Sequence, residues 1–181
     1  EKLSDEFLDG SWLLIIFAGN DTTRNTMSGG IKILHENQKQ KEMLIDNLEL
    51  LPNFINETVR CVSPVIHMRR TSLEETEING QKIGPYEKIA LWYGAANRDP
   101  DVFEDPDKFN ILRDNADKHL AFGIGRHTCI GKPVALMQLQ EFYSQFLTRF
   151  QDFEMNGDWK VAPNNFVHAI QEMPIKFSPS K

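Results

Sequence analysis

The most informative feature of this sequence is a glycine-rich segment. It places a cysteine at the start of a predicted helix and thereby limits the folds that the chain can adopt. The segment covers residues 122–131, Phe-Gly-Ile-Gly-Arg-His-Thr-Cys-Ile-Gly, and is called the cysteine loop below. Its glycines permit backbone angles, and close approach to a flat ligand, that residues with side chains resist. These glycines are Gly123, Gly125 and Gly131. Apolar residues then recur with helical periodicity from Val134 to Leu147, so the pattern predicts a helix that begins at Cys129 and runs to about Phe150.

The predicted position of Cys129 favours the thiolate over the thiol. A cysteine just before a helix lies at the positive end of the helix dipole, where unpaired backbone N–H groups can donate to the sulfur. A thiolate can bind iron, and a thiolate on haem iron pushes electron density toward cleavage of the O–O bond. The alternative is a buried, inert cysteine in a glycine-rich turn, which is the usual fate of a free cysteine.

The spacing Phe-Gly-x-Gly-x-His-x-Cys-x-Gly resembles the haem-binding signature of the cytochrome P-450 family. The resemblance places Phe122 in the haem contact and Cys129 at the axial position on the iron of haem b. It covers essentially the whole chain but only the C-terminal half of the family. It implies a mainly α fold with a small β portion: a long central helix, the ExxR helix, a short β-sheet, a meander, the cysteine loop and a final long helix. We interpret residues 1–181 as one incomplete domain of this kind.

The first predicted helix begins at Ser4, a typical N-cap residue followed by two acids. It is apolar on nearly every side through Phe17, and such a helix is expected to be buried in a larger protein. Residues 18–22, Ala-Gly-Asn-Asp-Thr, interrupt this apolar run, although a buried aspartate is costly unless it is paired. A solvated helix kink is the alternative explanation for these polar residues.

The resemblance gives residues 18–22 a role over the haem. Ala18 and Gly19 are implied to lie against the haem face. Thr22 is implied to contact the oxygen ligand of the iron, and Asp21 is implied to help relay protons. These assignments come from the family pattern.

A second predicted helix begins at Pro52 and ends near Ser63-Pro64. Glu57 and Arg60 lie three residues apart on it, and as a surface pair they would contribute only about 0.2–0.5 kcal/mol. By resemblance, Arg113 matches the meander arginine of the family. Glu57, Arg60 and Arg113 are then implied to form a structural triad behind the cysteine loop, where bidentate guanidinium–carboxylate geometry favours arginine.

The rest of the chain predicts short strands and an irregular meander. Strands are expected at 65–71, 77–83 and 88–93, with a hairpin turn at Asn79-Gly80. Residues 97–118 are rich in Asp, Asn, Arg and Pro and predict an ordered meander without long elements. Weak strands follow the last helix.

Several cations match family positions that bind anions. Arg70 resembles the arginine that binds a haem propionate, His127 resembles a second propionate donor, and His119 is a further candidate. Additional positive charge on the cysteine side comes from Lys118, Arg126 and Lys132. It suits the docking of an acidic electron donor such as a ferredoxin, and a solvated face is the alternative.

Composition narrows the function class. The formal net charge is −6 and no basic stripe is present, which argues against nucleic-acid binding. Cys61 and Cys129 are far apart and lack a CxxC spacing, which argues against a disulfide framework or a structural zinc site. A small metal protein that uses Cys129 and His127 is a poor alternative because further nearby ligands are lacking.

A reducing, cytoplasmic location is expected, since no signal-peptide pattern opens the chain and the apolar run 12–18 is shorter than the roughly 20 residues of a membrane span.

The function implied by the resemblance is haem-dependent monooxygenation, in which one oxygen atom of O2 enters a C–H bond. No nucleotide-binding glycine loop or flavin motif is present, so electrons are expected from a ferredoxin and a ferredoxin reductase. Pocket candidates at Phe17, Ala18, Val65, Ile66 and 167–170 are largely apolar, which suits a small hydrophobic substrate.

Three strings are similar to those of bacterial enzymes that hydroxylate alkanes and fatty acids at the chain terminus. They are residues 19–25, 67–71 and 135–139. Terminal hydroxylation is therefore the expected activity. Terpene or steroid hydroxylation, and a non-catalytic fragment of such an enzyme, stay open as alternatives.

Overall fold

The computed structural model describes residues 2–178, in which helices are the largest class of regular structure. The helices are α1 (Asp5–Glu36), α2 (Gln38–Asp46), α3 (Leu51–Val62), α4 (Tyr93–Ala96) and α5 (Lys132–Arg149). The strands are β1 (His67–Thr71), β2 (Thr76–Ile78), β3 (Gln81–Ile83), β4 (Lys88–Trp92), β5 (Glu154–Met155), β6 (Lys160–Ala162), β7 (Ala169–Glu172) and β8 (Ile175–Lys176). The predicted fold class, mainly α with a small β portion, is confirmed.

The strands pair as short antiparallel ribbons rather than as one large sheet. β1 pairs with β4, β2 with β3, β5 with β8, and β6 with β7. The β2–β3 hairpin turns at Asn79 and Gly80, which both have positive φ angles, 49° and 80°. Two successive residues with positive φ are what a type I′ turn requires, and Asn-Gly satisfies it at low cost. An isolated bridge between Val65 and Val167 joins the start of the β region to the C-terminal tail.

The core lies where the second half of α1 packs against α3 and α5. Its fully buried members are Leu34, Leu44, Phe54, Ile111, Leu139, Tyr143 and Leu147, with the aromatic rings of Phe54 and Tyr143 meeting edge to face at 4.8 Å. α3 starts with Pro52 in its first turn and ends at Ser63, whose φ of 43° is left-handed. Ser63 precedes Pro64, and the residue before a proline disfavours the helical region, so the helix ends where the sequence predicts.

Gly30 sets how closely α1 approaches its neighbours. A Cβ atom at Gly30 would overlap the Tyr143 hydroxyl and lie 2.9 Å from Cγ2 of Thr58. The Tyr143 hydroxyl fills that space and donates to the backbone carbonyl of Thr26 at 2.9 Å. Only a residue without a side chain therefore lets α5 dock on α1 at this point.

The first half of α1 is exposed within residues 2–178, so its predicted burial in a larger protein stays a prediction. Leu13, Leu14 and Ile16 keep 71%, 65% and 65% of their surface in solvent. The buried positions of α1 begin at Thr23, because α3, α5 and β7 pack against the second half of the helix. None of the helices among residues 2–178 has the length and apolarity needed to cross a membrane.

We predict that Gly30→Ala lowers the free energy of unfolding by about 1–3 kcal/mol, because the added methyl group overpacks the contact with Tyr143 and Thr58. Gly10→Ala is the matched control: no atom lies within 4 Å of its Cβ position, and alanine is favoured over glycine by about 1 kcal/mol in an exposed helix. Urea unfolding followed by circular dichroism measures both. Equal effects of the two substitutions would contradict the packing role of Gly30.

Candidate functional site

The cysteine loop is closed by its own backbone hydrogen bonds. The Cys129 N–H donates to the Phe122 carbonyl at 2.7 Å, and the Gly123 N–H donates to the Leu120 carbonyl at 2.8 Å. Gly123 has a φ of 71°, and a Cβ atom there would lie 2.8 Å from the backbone oxygen of His127. Both the backbone angle and the lack of space require glycine at this position.

Cys129 lies three residues before the final helix, so the predicted start of that helix at Cys129 is wrong. α5 begins at Lys132 with Gly131 as its N-cap. The Lys132 N–H donates to the Cys129 carbonyl at 3.2 Å, which makes a further turn before the helix. Gly131 has an ordinary φ of −81°, and a Cβ there would lie in ordinary contact with Sγ at 3.8 Å, so neither backbone angle nor space requires glycine at this position.

The thiol of Cys129 is exposed, which contradicts the alternative of a buried, inert cysteine. The loop residues around it are exposed as well, and several are apolar. Ile124, Ile130 and Val134 keep 74%, 99% and 53% of their surface in solvent. Exposed apolar side chains around an accessible thiol indicate an interaction surface.

The polar segment of α1 is regular helix, so no kink occurs among residues 18–22. The Thr22 hydroxyl donates to the Ala18 carbonyl at 2.8 Å. Asp21 forms an ion pair with Arg24 at 2.8 Å, and both side chains are partly in solvent. A Cβ at Gly19 would have no neighbour within 4 Å, so the Ala18–Gly19 surface is open.

A cleft of about 750 Å³ separates this part of α1 from the start of α5. Gly19, Asn20 and Thr23 line one wall, and Met137 and Gln138 line the other. The structure therefore brings Gly19 from the predicted α1 site to the helix that follows the cysteine loop. The volume lies within the range of about 300–1,000 Å³ that small-molecule sites occupy.

Glu57 accepts hydrogen bonds from two arginines in the core. Arg60 binds it in a bidentate manner, with Nε to Oε2 at 2.7 Å and Nη2 to Oε1 at 2.8 Å. Arg113 Nε lies 3.1 Å from both carboxylate oxygens. Glu57 and Arg60 are fully buried and Arg113 is 7% exposed. Burial is the largest single effect on the pKa of Arg60 and lowers it, but the hydrogen bonds to Glu57 together with the charges of nearby anionic groups outweigh burial and raise the pKa above its ordinary value.

Arg70 and His127 carry donors that the rest of the protein leaves available. Arg70, on β1, donates to the carbonyl of Arg69 at 3.0 Å and forms no ion pair within residues 2–178. His127 is an exposed residue of the cysteine loop. Both side chains therefore suit anionic groups of a ligand.

The apolar pocket candidates from three segments converge. The rings of Phe17 and Phe166 stack with centroids 6.2 Å apart. The Ile66 N–H donates to the Phe166 carbonyl at 2.8 Å, and Val65 pairs with Val167 across the isolated bridge. The structure thus joins the end of the apolar part of α1 to the tail and to the segment before β1.

The family model described as Cytochrome P450 matches residues 31–177. The chain belongs to the cytochrome P450 family. Linalool 8-monooxygenase of Pseudomonas putida is 38% identical to it over 170 residues, which cover 94% of this chain and 42% of that protein. Steroid C26-monooxygenase of Mycolicibacterium smegmatis is also 38% identical, over 99% of this chain and 45% of that protein.

A solved structure shows the same fold. Cytochrome P450-153 from Novosphingobium aromaticivorans superimposes with a TM-score of 0.89 at 40% identity, covering 93% of this chain and 43% of that one. These three proteins are bacterial, as the resemblance implied. The chain spans a little under half the length of these P450 relatives, so it corresponds to part of the P450 fold.

The family implies a haem, and the described residues fit one. The donor set is right: Cys129 presents an exposed thiol for iron, and Arg70 and His127 present cationic or hydrogen-bonding groups for carboxylates. Gly123 keeps the loop tight where a side chain would strike the backbone. Gly19 leaves the opposing surface of α1 bare.

His119 is a P450 site neighbour whose position the sequence did not reveal. It was a candidate propionate donor, but the structure buries it to 6% exposure, with Nδ1 accepting from the Ala121 N–H at 3.2 Å. Its ring lies 5.6 Å from that of Phe122, and its Nε2 has no partner in the described residues. Burial, with a contribution from Lys132, lowers its pKa to about 4. His119 is a polar residue next to charged residues in the sequence, so its sequence context does not indicate that it is buried.

We predict that Glu57→Ala lowers the free energy of unfolding by about 3–5 kcal/mol, because it leaves two buried guanidinium groups without their carboxylate. Glu172→Ala is the matched control, since its ion pair with Lys160 is largely in solvent and should contribute close to nothing. Chemical unfolding measures both. A small effect at Glu57 would show that the cluster is not essential to the core.

We predict that stability falls as the pH drops from 6.5 toward 4. His119 has its pKa lowered from 6.5 to about 4 in the folded protein, so the unfolded chain binds a proton first and protonation favours unfolding. The stabilisation is complete above pH 6.5, and the loss is roughly 3 kcal/mol at most.

The measurement is urea unfolding as a function of pH for the parent and for His119→Asn, whose side-chain oxygen can accept from Ala121. The variant should show a weaker pH dependence. A residual slope is expected from His168, whose pKa burial also lowers. An unchanged slope in the variant would refute the assignment to His119.

Proposed function

We propose that this chain is the cysteine-bearing part of a haem-thiolate monooxygenase that inserts one oxygen atom of O2 into a C–H bond of a hydrophobic substrate. The observation that carries the proposal is the exposed Cys129 thiol beside a loop whose glycine geometry leaves the sulfur accessible. Membership of the cytochrome P450 family supports it.

Haem b bound to a cysteine thiolate supplies the cleavage of the O–O bond. On the loop side, Cys129 binds the iron, and Phe122 with its neighbouring glycines shapes the surface around the sulfur. The glycines are Gly123, Gly125 and Gly131. On the α1 side, Ala18 and Gly19 provide a surface without bulky side chains. Arg70 and His127 bind the carboxylates.

Asp21 and Thr22 handle protons in this proposal. The Thr22 hydroxyl donates a hydrogen bond to the Ala18 carbonyl. Rotation about its C–O bond can turn the same proton toward another acceptor. The Asp21 carboxylate is partly exposed and held by Arg24.

The proposed substrate is an alkane or a fatty acid oxidised at its terminal carbon. The convergence of Phe17, Val65, Ile66 and Phe166 supports a hydrophobic ligand. The strings at 19–25, 67–71 and 135–139 support the terminal position. Terpene or steroid hydroxylation is the second candidate, favoured by the similarity to a linalool and a steroid monooxygenase. Product analysis with a fatty acid, a terpene alcohol and a steroid separates the candidates.

The proposed electron donors are a ferredoxin and its reductase in the cytoplasm. Lys118 and Arg126 are exposed near the cysteine loop in sequence, and Lys132 lies over the Phe122 ring at 5.5 Å. Such positive charge attracts an acidic partner and raises the association rate. The two free cysteines fit a reducing compartment.

The experiment is the absorption spectrum of the reduced, carbon-monoxide-bound protein, recorded for this chain and for the product of the longest reading frame that contains it. We expect a strongly red-shifted Soret band, which Cys129→Ser abolishes because the thiolate is lost. Cys61→Ser is the matched control and should keep the band, since Cys61 lies in α3 and burial raises the pKa of its thiol to about 11.

The alternatives give different results. If only the longer product binds haem, this chain is a non-catalytic fragment on its own. A haem band without the red shift would refute Cys129 as the ligand. Elemental analysis that finds zinc would favour a small metal site, although no group of three or more His, Cys, Asp or Glu residues that could hold a metal occurs within residues 2–178.

A further inference from the structure

Asn97 is a buried amide with every polar group satisfied. It follows α4 and is 0% exposed. Its Nδ2 donates to Ser63 Oγ at 2.8 Å, and its Oδ1 accepts from the Leu120 N–H at 2.6 Å. Its backbone carbonyl accepts from Arg60 Nη1 at 2.7 Å. A buried polar group without partners is costly, so such complete pairing marks a specific role.

The partners around Asn97 require a side chain that both donates and accepts a hydrogen bond, as an amide does. Ser63 Oγ gives its own proton to the Arg60 carbonyl at 2.9 Å, so toward Asn97 it can only accept. The Leu120 N–H can only donate. The side chain between them must therefore donate at one atom and accept at the other, which a carboxylate or an aliphatic group cannot do.

The hydrogen bond from the Leu120 N–H to Asn97 Oδ1 matters because of where Leu120 lies in the chain. Leu120 lies two residues before the cysteine loop, and its carbonyl accepts from the Gly123 N–H. The loop is closed by the bond from the Cys129 N–H to the Phe122 carbonyl and by the bond from the Thr128 N–H to the Gly125 carbonyl at 3.1 Å. A loop that is closed on itself depends on its two ends for its orientation, and Leu120 lies at the first end.

We propose that Asn97 is a positioning residue for the Cys129 thiol: it ties the entry of the cysteine loop to the buried Glu57–Arg60–Arg113 cluster. Arg60 binds both Glu57 and the Asn97 carbonyl, and Asn97 binds Leu120. The importance of this link for iron binding rests on the proposed function. The link itself is a property of the folded chain.

Amide hydrogen exchange measured by NMR tests the link on the full chain without haem. Asn97→Leu removes both side-chain bonds, and we expect roughly tenfold faster exchange at Leu120, Gly123 and Cys129 than in the parent, after correction for any change at Val59 in α3. Ser63→Ala is the matched control: it removes the partner of Nδ2 but leaves the Oδ1 bond to Leu120 in place, so the loop amides should keep their protection.

Asn97→Asp keeps the test valid if the leucine variant does not fold. It retains an acceptor for the Leu120 N–H and loses the donor to Ser63. Exchange at its loop amides should therefore be slower than in Asn97→Leu and no slower than in the parent. Equal acceleration at all amides, or equal exchange of the loop amides in Ser63→Ala and Asn97→Leu, would overturn the proposal, since both outcomes describe a general loss of stability.

A second readout connects the link to the thiol. In protein that binds haem, Asn97→Leu should reduce the fraction of reduced, carbon-monoxide-bound protein with the red-shifted Soret band, and Ser63→Ala should not. An unchanged fraction would overturn the role toward the thiol. If neither this chain nor the longer product binds haem, the proposed function fails, and the exchange data still decide whether Asn97 positions the loop.

Discussion

The fold depends on one buried carboxylate, Glu57, that two arginines neutralise. Moving three charged groups out of water is costly, and only hydrogen bonds to nearly every lone pair and donor offset that cost. Arg60 and Arg113 therefore also donate to backbone carbonyls of the meander, including those of Asn97, Glu104 and Lys108. The meander contains no long helix or strand of its own, so these bonds determine its path. Because the cysteine loop follows the meander directly, the charge cluster also determines where the loop begins.

The second constraint is the close contact of α1 with α3 and α5. It exists only because Gly30 leaves room for the Tyr143 hydroxyl, which binds the α1 backbone in return. This contact fixes the second half of α1, while the first half keeps its apolar side chains in solvent. The open Ala18–Gly19 surface lies at the end of this exposed half. The cleft beside it is therefore bounded by a rigid helix segment and by the start of α5.

Features with local causes could be predicted from the sequence. Asn79-Gly80 turns a hairpin because both residues tolerate positive φ, and α3 ends at Ser63 because Pro64 follows. The cysteine loop was predicted as a glycine-rich loop from its spaced glycines, and the structure shows that Gly123 requires glycine for both its backbone angle and its lack of space. An apolar helix needs a partner surface, and residues 2–178 supply one only for the second half of α1, so the burial of its first half stays a prediction. The start of α5 was placed three residues early because the turn at Cys129 has no marker in the side-chain pattern.

The sequence by itself determined the family, the mainly helical fold class and the identity of Cys129 as the residue presented by a glycine-rich turn. These follow from local backbone preferences and from spaced residue types that are read along the chain. The tertiary structure alone decided that His119 is buried, that Asn97 joins Ser63 to Leu120, and that Gly30 faces Tyr143. The Asn97 and Gly30 contacts join residues more than 20 positions apart, and the free energy of a buried polar group is set by which partners the folded chain brings to it.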